Sequence, residues 1–241
     1  MKTLLGMVTI GRDTTMRSLA ADRAQIYARK YGYEFMRVNT PIIADSQRTP
    51  HWEKTLIPQA APGYERYLII DDDVLINHRV APALPEIPAN TIGLVREALP
   101  GPFTTPVQWV GNTGFMLVQR EAVDLLTKAY SLGEYAAIPP GFGDQPAINA
   151  VAWKESRITQ MDWNWNYIIM ADWLIHTYHL PYPWTENRIL ARIAKATLSL
   201  QLLTSFLPSP PDGFLSKLRS SYMVHLTWYR MGARLIDKVL G

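Results

Sequence analysis

The sequence predicts an α/β protein whose central sheet is mostly parallel and flanked by helices. Apolar segments of strand length alternate with segments of helical periodicity in the order β-α-β-α-β between Leu4 and Ile70. The strand-like segments are nearly continuous apolar runs, which is typical of parallel strands buried on both faces. Successive parallel strands are joined by right-handed crossovers, so the helices are expected to cover the sheet.

Each element in the first half of the chain has its own local signal. The predicted elements are a strand over 4–10, a helix from Thr15 to about Gly32, a strand over 33–38, a short helix over 51–57 and a strand over 67–70. Helical spacing of Met16, Leu19 and Ala20 indicates the first helix. Pro58, which follows the second helix directly, is expected to end it.

The second half predicts a strand over 91–96, an apolar segment over 107–119, a helix over 121–130 and a helix over 145–153. The segment over 107–119 contains Gly111-Asn-Thr-Gly114, and glycine inside a strand marks a bulge or a close backbone approach. Asp144 stands where an N-cap residue of the last helix would stand.

Three consecutive aspartates, Asp71 to Asp73, directly follow the strand over 67–70. Open α/β sheets bind ligands beyond the carboxyl ends of their strands. In an extended segment Asp71 and Asp73 would point the same way and Asp72 the other way. Two converging carboxylates favour Mg²⁺ or Mn²⁺. A polar cluster that ends the strand and begins a turn fits these residues equally well.

Composition narrows the class of protein. A chain of 241 residues suits one large α/β domain, or one domain with an appendage. The content of 48% hydrophobic and 19% charged residues is that of a globular protein. The absence of cysteine excludes disulfides, thiolate metal sites and a cysteine nucleophile.

Charge divides the chain into a predicted catalytic domain over 1–187 and a basic segment over 188–241. The basic segment has a net charge of +6, against −3 for residues 1–187. Arg188, Arg192 and Lys195 share one face of a predicted amphipathic helix. Such a helix either docks on an anionic membrane surface or packs on the catalytic domain with its basic edge in water.

The apolar runs and the basic segment also indicate where in the cell the protein is located and what it binds. No run reaches the roughly 20 apolar residues of a spanning helix, and the apolar run at the amino terminus is too short for a signal peptide. We therefore expect a cytoplasmic protein, peripheral on the inner membrane face through residues 188–241, with no nucleic-acid partner.

Seven short motifs together resemble a known family. They are Trp52-Glu-Lys54, Tyr67–Ile70 with Asp71-x-Asp73, Asn112-x-Gly114, Asp144-Gln145, Trp165-Asn-Tyr167 and Val224-His225. In this order, from about Val8 to His225, the chain resembles GT-A glycosyltransferases, in particular the glycogenin-like family 8 and the Gma12/Mnn10 galactosyl/xylosyltransferases. The resemblance implies a Rossmann-like GT-A fold and transfer of a hexose or pentose from a nucleotide sugar, with UDP-sugar as the expected donor.

The resemblance also implies a divalent cation, Mn²⁺ or Mg²⁺, and a saccharide or glycolipid acceptor, as in surface polysaccharide synthesis. It favours retention of the anomeric configuration. Physically, a cation neutralises the nucleoside diphosphate as it leaves the sugar. A basic helical appendage at the carboxyl terminus, residues 188–241, would return His225 to the site.

Carried over by position, the metal ligands are Asp71, Asp73 and His225. For His225 the alternative is a hydrogen-bonded histidine in an apolar strand. The catalytic pair is Asp144 and Gln145, for which the alternative is a simple helix cap. The expected donor-binding residues are Thr9, Ile10, Arg12, Lys54, Asp72, Asn112, Gly114 and Arg230. Thr9, Ile10 and Arg12 are expected there because they end the first strand.

The remaining assignments have alternatives as well. Lys54 could be a solvated lysine on a short helix, and Asn112-x-Gly114 a plain bulge. Trp163, Trp165 and Tyr167 would form an acceptor subsite by stacking on sugar rings, or would belong to the core.

Two positions depart from the family pattern. Asp72 replaces a small residue between the two ligand aspartates, and Arg230 stands near the place of a phosphate-binding lysine.

Two other classes of function fit the sequence less well. A sugar-1-phosphate nucleotidyltransferase has a similar layout but needs a glycine-rich signature, which Thr9-Ile-Gly-Arg-Asp-Thr-Thr15 lacks. A non-catalytic carbohydrate-binding protein would seldom need a site for metal and diphosphate.

Overall fold

The computed structural model of the chain describes residues 1–44, 48–97, 107–133, 143–169, 172, 213–226 and 232–241. The predicted basic helix over 188–203 and Arg230 lie outside these residues. The described residues form two sheets, several helices and short 3₁₀ segments.

The strands are β1 (Thr3–Val8), β2 (Glu34–Val38), β3 (Arg66–Ile70), β4 (Val74–Ile76), β5 (Ile92–Arg96), β6 (Gly111–Gln119), β7 (Ile158–Met161), β8 (Tyr167–Ile168) and β9 (Met223–His225). Six of them form a large sheet in the order β2-β1-β3-β6-β5-β7, and three form a small sheet in the order β4-β9-β8. Among the described strands of the large sheet, only β6 runs antiparallel to its neighbours. The predicted mostly parallel α/β sheet is therefore confirmed.

The described helices are α1 (Thr15–Tyr31), α2 (Ile57–Ala60), α3 (Val123–Leu132), α4 (Gln145–Lys154), α5 (Phe214–Ser220) and α6 (Ala233–Leu240). None of them is long and apolar enough to cross a membrane. Two apolar clusters form the core: one includes buried residues of α1 and the small sheet, and the other includes those of α3 and α4.

Local caps define α1. The Thr14 hydroxyl accepts a hydrogen bond from Arg17 N at 3.3 Å, and Gly32 ends the helix in the left-handed conformation. Both predicted ends of α1 are confirmed. The short helix differs from expectation, because a 3₁₀ helix over Pro50–Leu56 continues into α2 through Pro58. Proline is tolerated there because the first turn of a helix has no partner for its amide.

A bulge interrupts the pairing of β5 with β6, as the glycines predicted. Leu94 lies opposite Met116, but the next residue, Val95, lies opposite Asn112. Residues 113–115 therefore bulge from β5 while β3 continues its pairing as far as Phe115. The side chain of Asn149 on α4 holds the start of the bulge, accepting from Gly111 N and donating to Gly111 O, each at 2.7 Å.

The small sheet brings a late part of the chain back to the aspartates. Strand β4 begins directly after Asp73 and pairs antiparallel with β9, placing Val74 opposite His225. Leu226 N donates to Asp73 O at 2.8 Å and extends this pairing. Strand β8 pairs parallel with β9, with Ile168 opposite His225.

Candidate active site

Two aspartates and one histidine converge where the two sheets meet. One oxygen of Asp71, one oxygen of Asp73 and one ring nitrogen of His225 all lie within 4.8 Å of one another. His225 Nε2 is 3.1 Å from Asp73 Oδ1 and 3.9 Å from Asp71 Oδ2. Asp73 and His225 are buried, whereas Asp71 is partly accessible.

The aspartates converge through a turn rather than through strand alternation. Strand β3 ends at Ile70, and Val74 N donates to Asp71 O at 3.2 Å. The turn places the side chains of Asp71 and Asp73 beside His225. It places Asp72 beside Arg17, whose Nε is 2.5 Å from Asp72 Oδ2. The third aspartate, which the sequence left ambiguous, therefore forms an ion pair with α1.

Gly114 fills the space between the ligand residues. A Cβ atom at this position would overlap the imidazole ring of His225, lying 2.6 Å from Nδ1. The Gly114 carbonyl accepts a hydrogen bond from Asp71 N at 3.0 Å, and the Gly114 amide donates one to Asn112 Oδ1 at 2.8 Å. The close approach predicted for the bulge is therefore an approach to His225, and only glycine permits it.

Lys54 is a buried cation between two carboxylates. Its Nζ lies 2.6 Å from Asp71 Oδ1 and 3.3 Å from Asp144 Oδ2, and it donates to Thr113 O at 3.0 Å. Burial would lower the pKa of the ammonium, but Asp144 and Asp71 outweigh it and raise that pKa above its ordinary value. Lys54 is therefore a charged, buried residue of the 3₁₀ helix rather than a solvated one.

Asp144 and Gln145 lie at the start of α4. The Asp144 carboxylate makes no capping hydrogen bond. Its Oδ2 faces Lys54 as an ion pair without hydrogen-bond geometry, and makes no hydrogen bond to any residue that the structure describes. Burial raises the pKa of this carboxyl above its ordinary value, and Lys54 opposes that rise. Gln145 Oε1 accepts from Thr113 N at 3.1 Å, on the bulge.

Two polar residues that the sequence reading did not assign join this site. Asn112 Nδ2 donates to Glu97 Oε2 at 2.6 Å, and Asn112 Oδ1 accepts from Asn166 Nδ2 at 2.7 Å. Glu97 follows β5 as Asp71 follows β3, at the same edge of the sheet, and that signal could have identified it. Asn166 lies within the Trp165-Asn-Tyr167 motif, but nothing local in the sequence relates it to Asn112.

The predicted nucleotide-pocket residues lie around two adjoining spaces, both lined by Arg17. The first, here called the carboxylate cavity, has a volume of about 120 Å³ and is lined by Val8, Ile10, Arg17, Pro50, His51, Lys54, Asp71, Asp72 and Asp73. The second is an open cleft of about 710 Å³ that includes Arg12 and Arg234. Thr9 is buried, and its Oγ1 accepts from Arg37 Nε at 2.8 Å.

The three aromatic residues predicted for the acceptor have different surroundings. Trp165 is buried and packs against Phe115 and Tyr222. Tyr167 is buried and donates to Asp172 Oδ2 at 2.8 Å. Trp163 is 43% exposed and touches Tyr167 edge-on. Of the three, only Trp163 is exposed to solvent.

The residues at the site suit a divalent cation. Two carboxylates and an imidazole are oxygen and nitrogen donors of the kind that Mn²⁺ accepts. Asp71, Asp73 and Asp144 carry three formal negative charges, against the single positive charge of Lys54. The pKa of the His225 imidazole is lowered by burial, but Asp73 outweighs this and raises it above its ordinary value. Each of these features fits a bound cation.

Comparison with known proteins supports the fold. No protein-family profile matches the sequence, and no curated protein matches it. Solved structures do match over nearly the whole chain. A glycosyltransferase involved in glycosylation of the major capsid of PBCV-1 is 14% identical, with a TM-score of 0.64 over 99% of this chain and 98% of its own.

Two further structures agree. The galactosyltransferase LgtC, in complex with donor and acceptor sugar analogues, is 9% identical with a TM-score of 0.52, over 99% of this chain and 95% of its own. Mouse xyloside xylosyltransferase 1 is 12% identical with a TM-score of 0.50, over 93% and 97%. The chain therefore has the fold of GT-A glycosyltransferases, as the motifs predicted.

Proposed function

We propose that this protein is a metal-dependent glycosyltransferase that moves a sugar from a nucleotide-diphosphate sugar, with UDP-sugar the expected donor, to a hydroxyl of a saccharide or glycolipid. The main observation in support is the convergence of Asp71, Asp73 and His225 at the carboxyl end of β3. This arrangement occurs in a chain with the GT-A fold.

Asp71, Asp73 and His225 would hold Mn²⁺ or Mg²⁺. When bound, the cation would supply positive charge to the diphosphate as its bond to the sugar breaks. Asp71 has a second task, because its Oδ1 also faces the Lys54 ammonium at 2.6 Å. The same carboxylate therefore orients both positive groups of the site.

Lys54 and Asp144 would act on the sugar side of the diphosphate. The Lys54 ammonium remains protonated and lies at the wall of the carboxylate cavity, where it would bind a phosphate or sugar oxygen. Asp144 lies beyond it and would stabilise positive charge developing at the anomeric carbon. Gln145, held by Thr113 N, would contact a hydroxyl of the transferred sugar.

The nucleoside would lie toward the end of β1. Ile10 and Arg17 line the carboxylate cavity, and Arg12 lines the adjoining cleft. Arg17 lines both spaces, and its ion pair with Asp72 would keep the third aspartate away from the cation. Arg17 also donates to Arg12 O at 2.7 Å, so it orders the loop that would contact the base.

Binding of UDP tests this proposal directly. Titration calorimetry is expected to detect UDP binding with Mn²⁺ and much weaker binding without it. Asp73→Ala should abolish the Mn²⁺-dependent part, because it removes a buried ligand. Asp22→Ala, at an exposed position of α1, is the matched control and should bind as the unaltered chain does.

Failure to bind UDP, with or without Mn²⁺, would contradict the proposal. So would release of pyrophosphate from UTP and a sugar 1-phosphate, which would indicate a nucleotidyltransferase. Slow hydrolysis of one member of a nucleotide-sugar panel identifies the donor. NMR of the product with an acceptor then gives the anomeric configuration, for which retention is expected.

A further inference from the structure

The candidate metal ligands come from separate parts of the fold. Asp71 follows β3 of the large sheet, and His225 belongs to β9 of the small sheet. Their separation therefore depends on how the small sheet is placed against the bulge of β6. Asn166 makes a hydrogen bond across this boundary.

Asn166 belongs to the small-sheet side. It directly precedes β8, and its neighbour Asn164 accepts from Tyr222 N through its carbonyl at 2.8 Å, next to β9. Its Nδ2 donates to Oδ1 of Asn112 on β6 at 2.7 Å. The hydrogen bond thus joins the strand pair that holds His225 to the bulge that faces Asp71.

A short series of contacts leads from this hydrogen bond to both ligands. Asn112 Oδ1 also accepts the Gly114 amide at 2.8 Å, so Asn112 fixes where Gly114 lies. On one side the Gly114 carbonyl accepts from Asp71 N at 3.0 Å. On the other side its Cα packs against the His225 ring so closely that no Cβ would fit.

The burial of Asn166 also requires an explanation. The side chain is 3% exposed, and its Oδ1 makes no hydrogen bond to the residues that the structure describes. Burying an unsatisfied oxygen is unfavourable, and an apolar side chain of similar size would avoid that cost. Stability alone therefore does not account for an asparagine here, whereas its donated hydrogen bond to Asn112 does.

We propose that Asn166 is a positioning residue for the metal ligands: through Asn112 and Gly114, its amide sets the spacing between His225 and Asp71. The proposal rests on the metal dependence proposed above. The amide of Asn166 donates to Asn112 and not to a ligand, so its effect would resemble that of outer-shell residues, whose loss typically weakens metal binding by about 10–100-fold.

Titration with Mn²⁺ alone, without nucleotide, tests the proposal. Asn166→Ala removes the donated hydrogen bond, and Asn166→Leu removes it while keeping a side chain of similar size. Both variants are expected to bind Mn²⁺ roughly tenfold more weakly. In pulsed EPR of the Mn²⁺-loaded protein, the ¹⁴N coupling from His225 should be altered or lost. If the alanine variant does not fold because of the cavity it leaves, the leucine variant, which fills that space, gives the result.

Asn77 provides a matched control on the same small sheet. It is 2% exposed, donates from Nδ2 to Arg219 O at 3.0 Å, and its Oδ1 likewise lacks a hydrogen bond among the described residues. Asn77→Ala should lower the unfolding temperature about as much as Asn166→Ala does. It should leave both the Mn²⁺ affinity and the ¹⁴N coupling unchanged.

The outcomes separate the two proposals. Unaltered Mn²⁺ affinity and ¹⁴N coupling in Asn166→Leu would overturn the positioning role and leave metal dependence standing. An equal loss of affinity in Asn77→Ala would also overturn it, because the effect would then be general loosening of the small sheet. If the unaltered chain binds no Mn²⁺, the metal dependence and this inference both fail.

Discussion

Gly114 is the residue on which the geometry of the candidate site depends most directly. It lies between Asp71 and His225, contacting the first through its carbonyl and the second through its Cα. Neither contact requires unusual backbone dihedrals, so the need for glycine is purely steric. A side chain here would have to displace the imidazole, because the backbone is held by hydrogen bonds on both sides.

Gly114→Ala is therefore expected to weaken Mn²⁺ binding at least roughly tenfold. The added methyl group should also lower the free energy of unfolding by about 1–3 kcal/mol, as overpacking commonly does. Calorimetric titration and urea unfolding measure the two effects. Gly93→Ala is the control, because its Cβ would meet the Met161 sulfur at 2.8 Å, away from the ligands.

Gly93→Ala should lose stability but retain Mn²⁺ affinity. Full Mn²⁺ affinity in Gly114→Ala would mean that the His225 ring is not a ligand, since the ring cannot keep its place beside an alanine.

Asp72 shows what the sequence could not supply at the residue scale. The alternation of side chains along an extended segment correctly predicted that Asp72 points away from Asp71 and Asp73. In the structure a turn, rather than an extended segment, produces this arrangement. The partner of Asp72 is Arg17, on a helix that precedes it by many residues. No local pattern relates these two positions, so the ion pair was not predictable.

At the scale of elements, the features with local causes were predicted and those with distant causes were not. Helix α1 was bounded correctly because Thr14 and Gly32 are its own caps. The bulge in β6 was expected because glycine interrupts an apolar run. The small sheet was not predicted, because the pairing of β4 with β9 joins segments that are far apart in sequence.

One ion-paired element allows a test of stability against pH. Asp124 on α3 accepts from both terminal nitrogens of Arg157, at 2.8 and 2.9 Å, and this joins α3 to the start of β7. The hydrogen bonds from Arg157 lower the pKa of Asp124 from 3.8 to about 2. A lowered folded-state pKa means that the pair stabilises fully above about pH 4 and loses its effect as pH falls to about 2.

Asp124→Asn should therefore lower the free energy of unfolding at pH 7 by no more than about 1 kcal/mol, because the carboxylate is half exposed and screened. The difference from the unaltered chain should shrink as pH falls from 5 toward 2.5. Urea unfolding across this range measures it, with Asp22→Asn as the exposed control. A difference that grows on acidification would contradict the assigned ion pair.

At the scale of the whole molecule, the candidate site concentrates negative charge where the two sheets meet. Asp71, Asp73 and Asp144 carry three formal negative charges, and Lys54 opposes them with one positive charge. The ligands join a strand of the large sheet to a strand of the small sheet. A cation bound there would both relieve the repulsion and connect the sheets, so its binding should stabilise the entire fold.

Mn²⁺ is accordingly expected to raise the unfolding temperature. A ligand that binds only the folded state at 100 times its dissociation constant contributes about 2.7 kcal/mol. For a chain of this size that corresponds to a rise of about 5–10 °C. Calorimetric scans with Mn²⁺, and again after excess EDTA, measure the rise and its reversal.

The variant Asp73→Asn distinguishes stabilisation by Mn²⁺ bound at the candidate site from a general effect of salt on the unfolding temperature. The variant loses one buried ligand and one negative charge, so its unfolding temperature should no longer respond to Mn²⁺. Asp22→Asn should respond as the unaltered chain does. An equal rise in Asp73→Asn would show that Mn²⁺ acts elsewhere on the molecule.

Because the cation would connect the two sheets, Mn²⁺ should also slow hydrogen exchange at Leu226 N, whose hydrogen bond to Asp73 O lies at their junction.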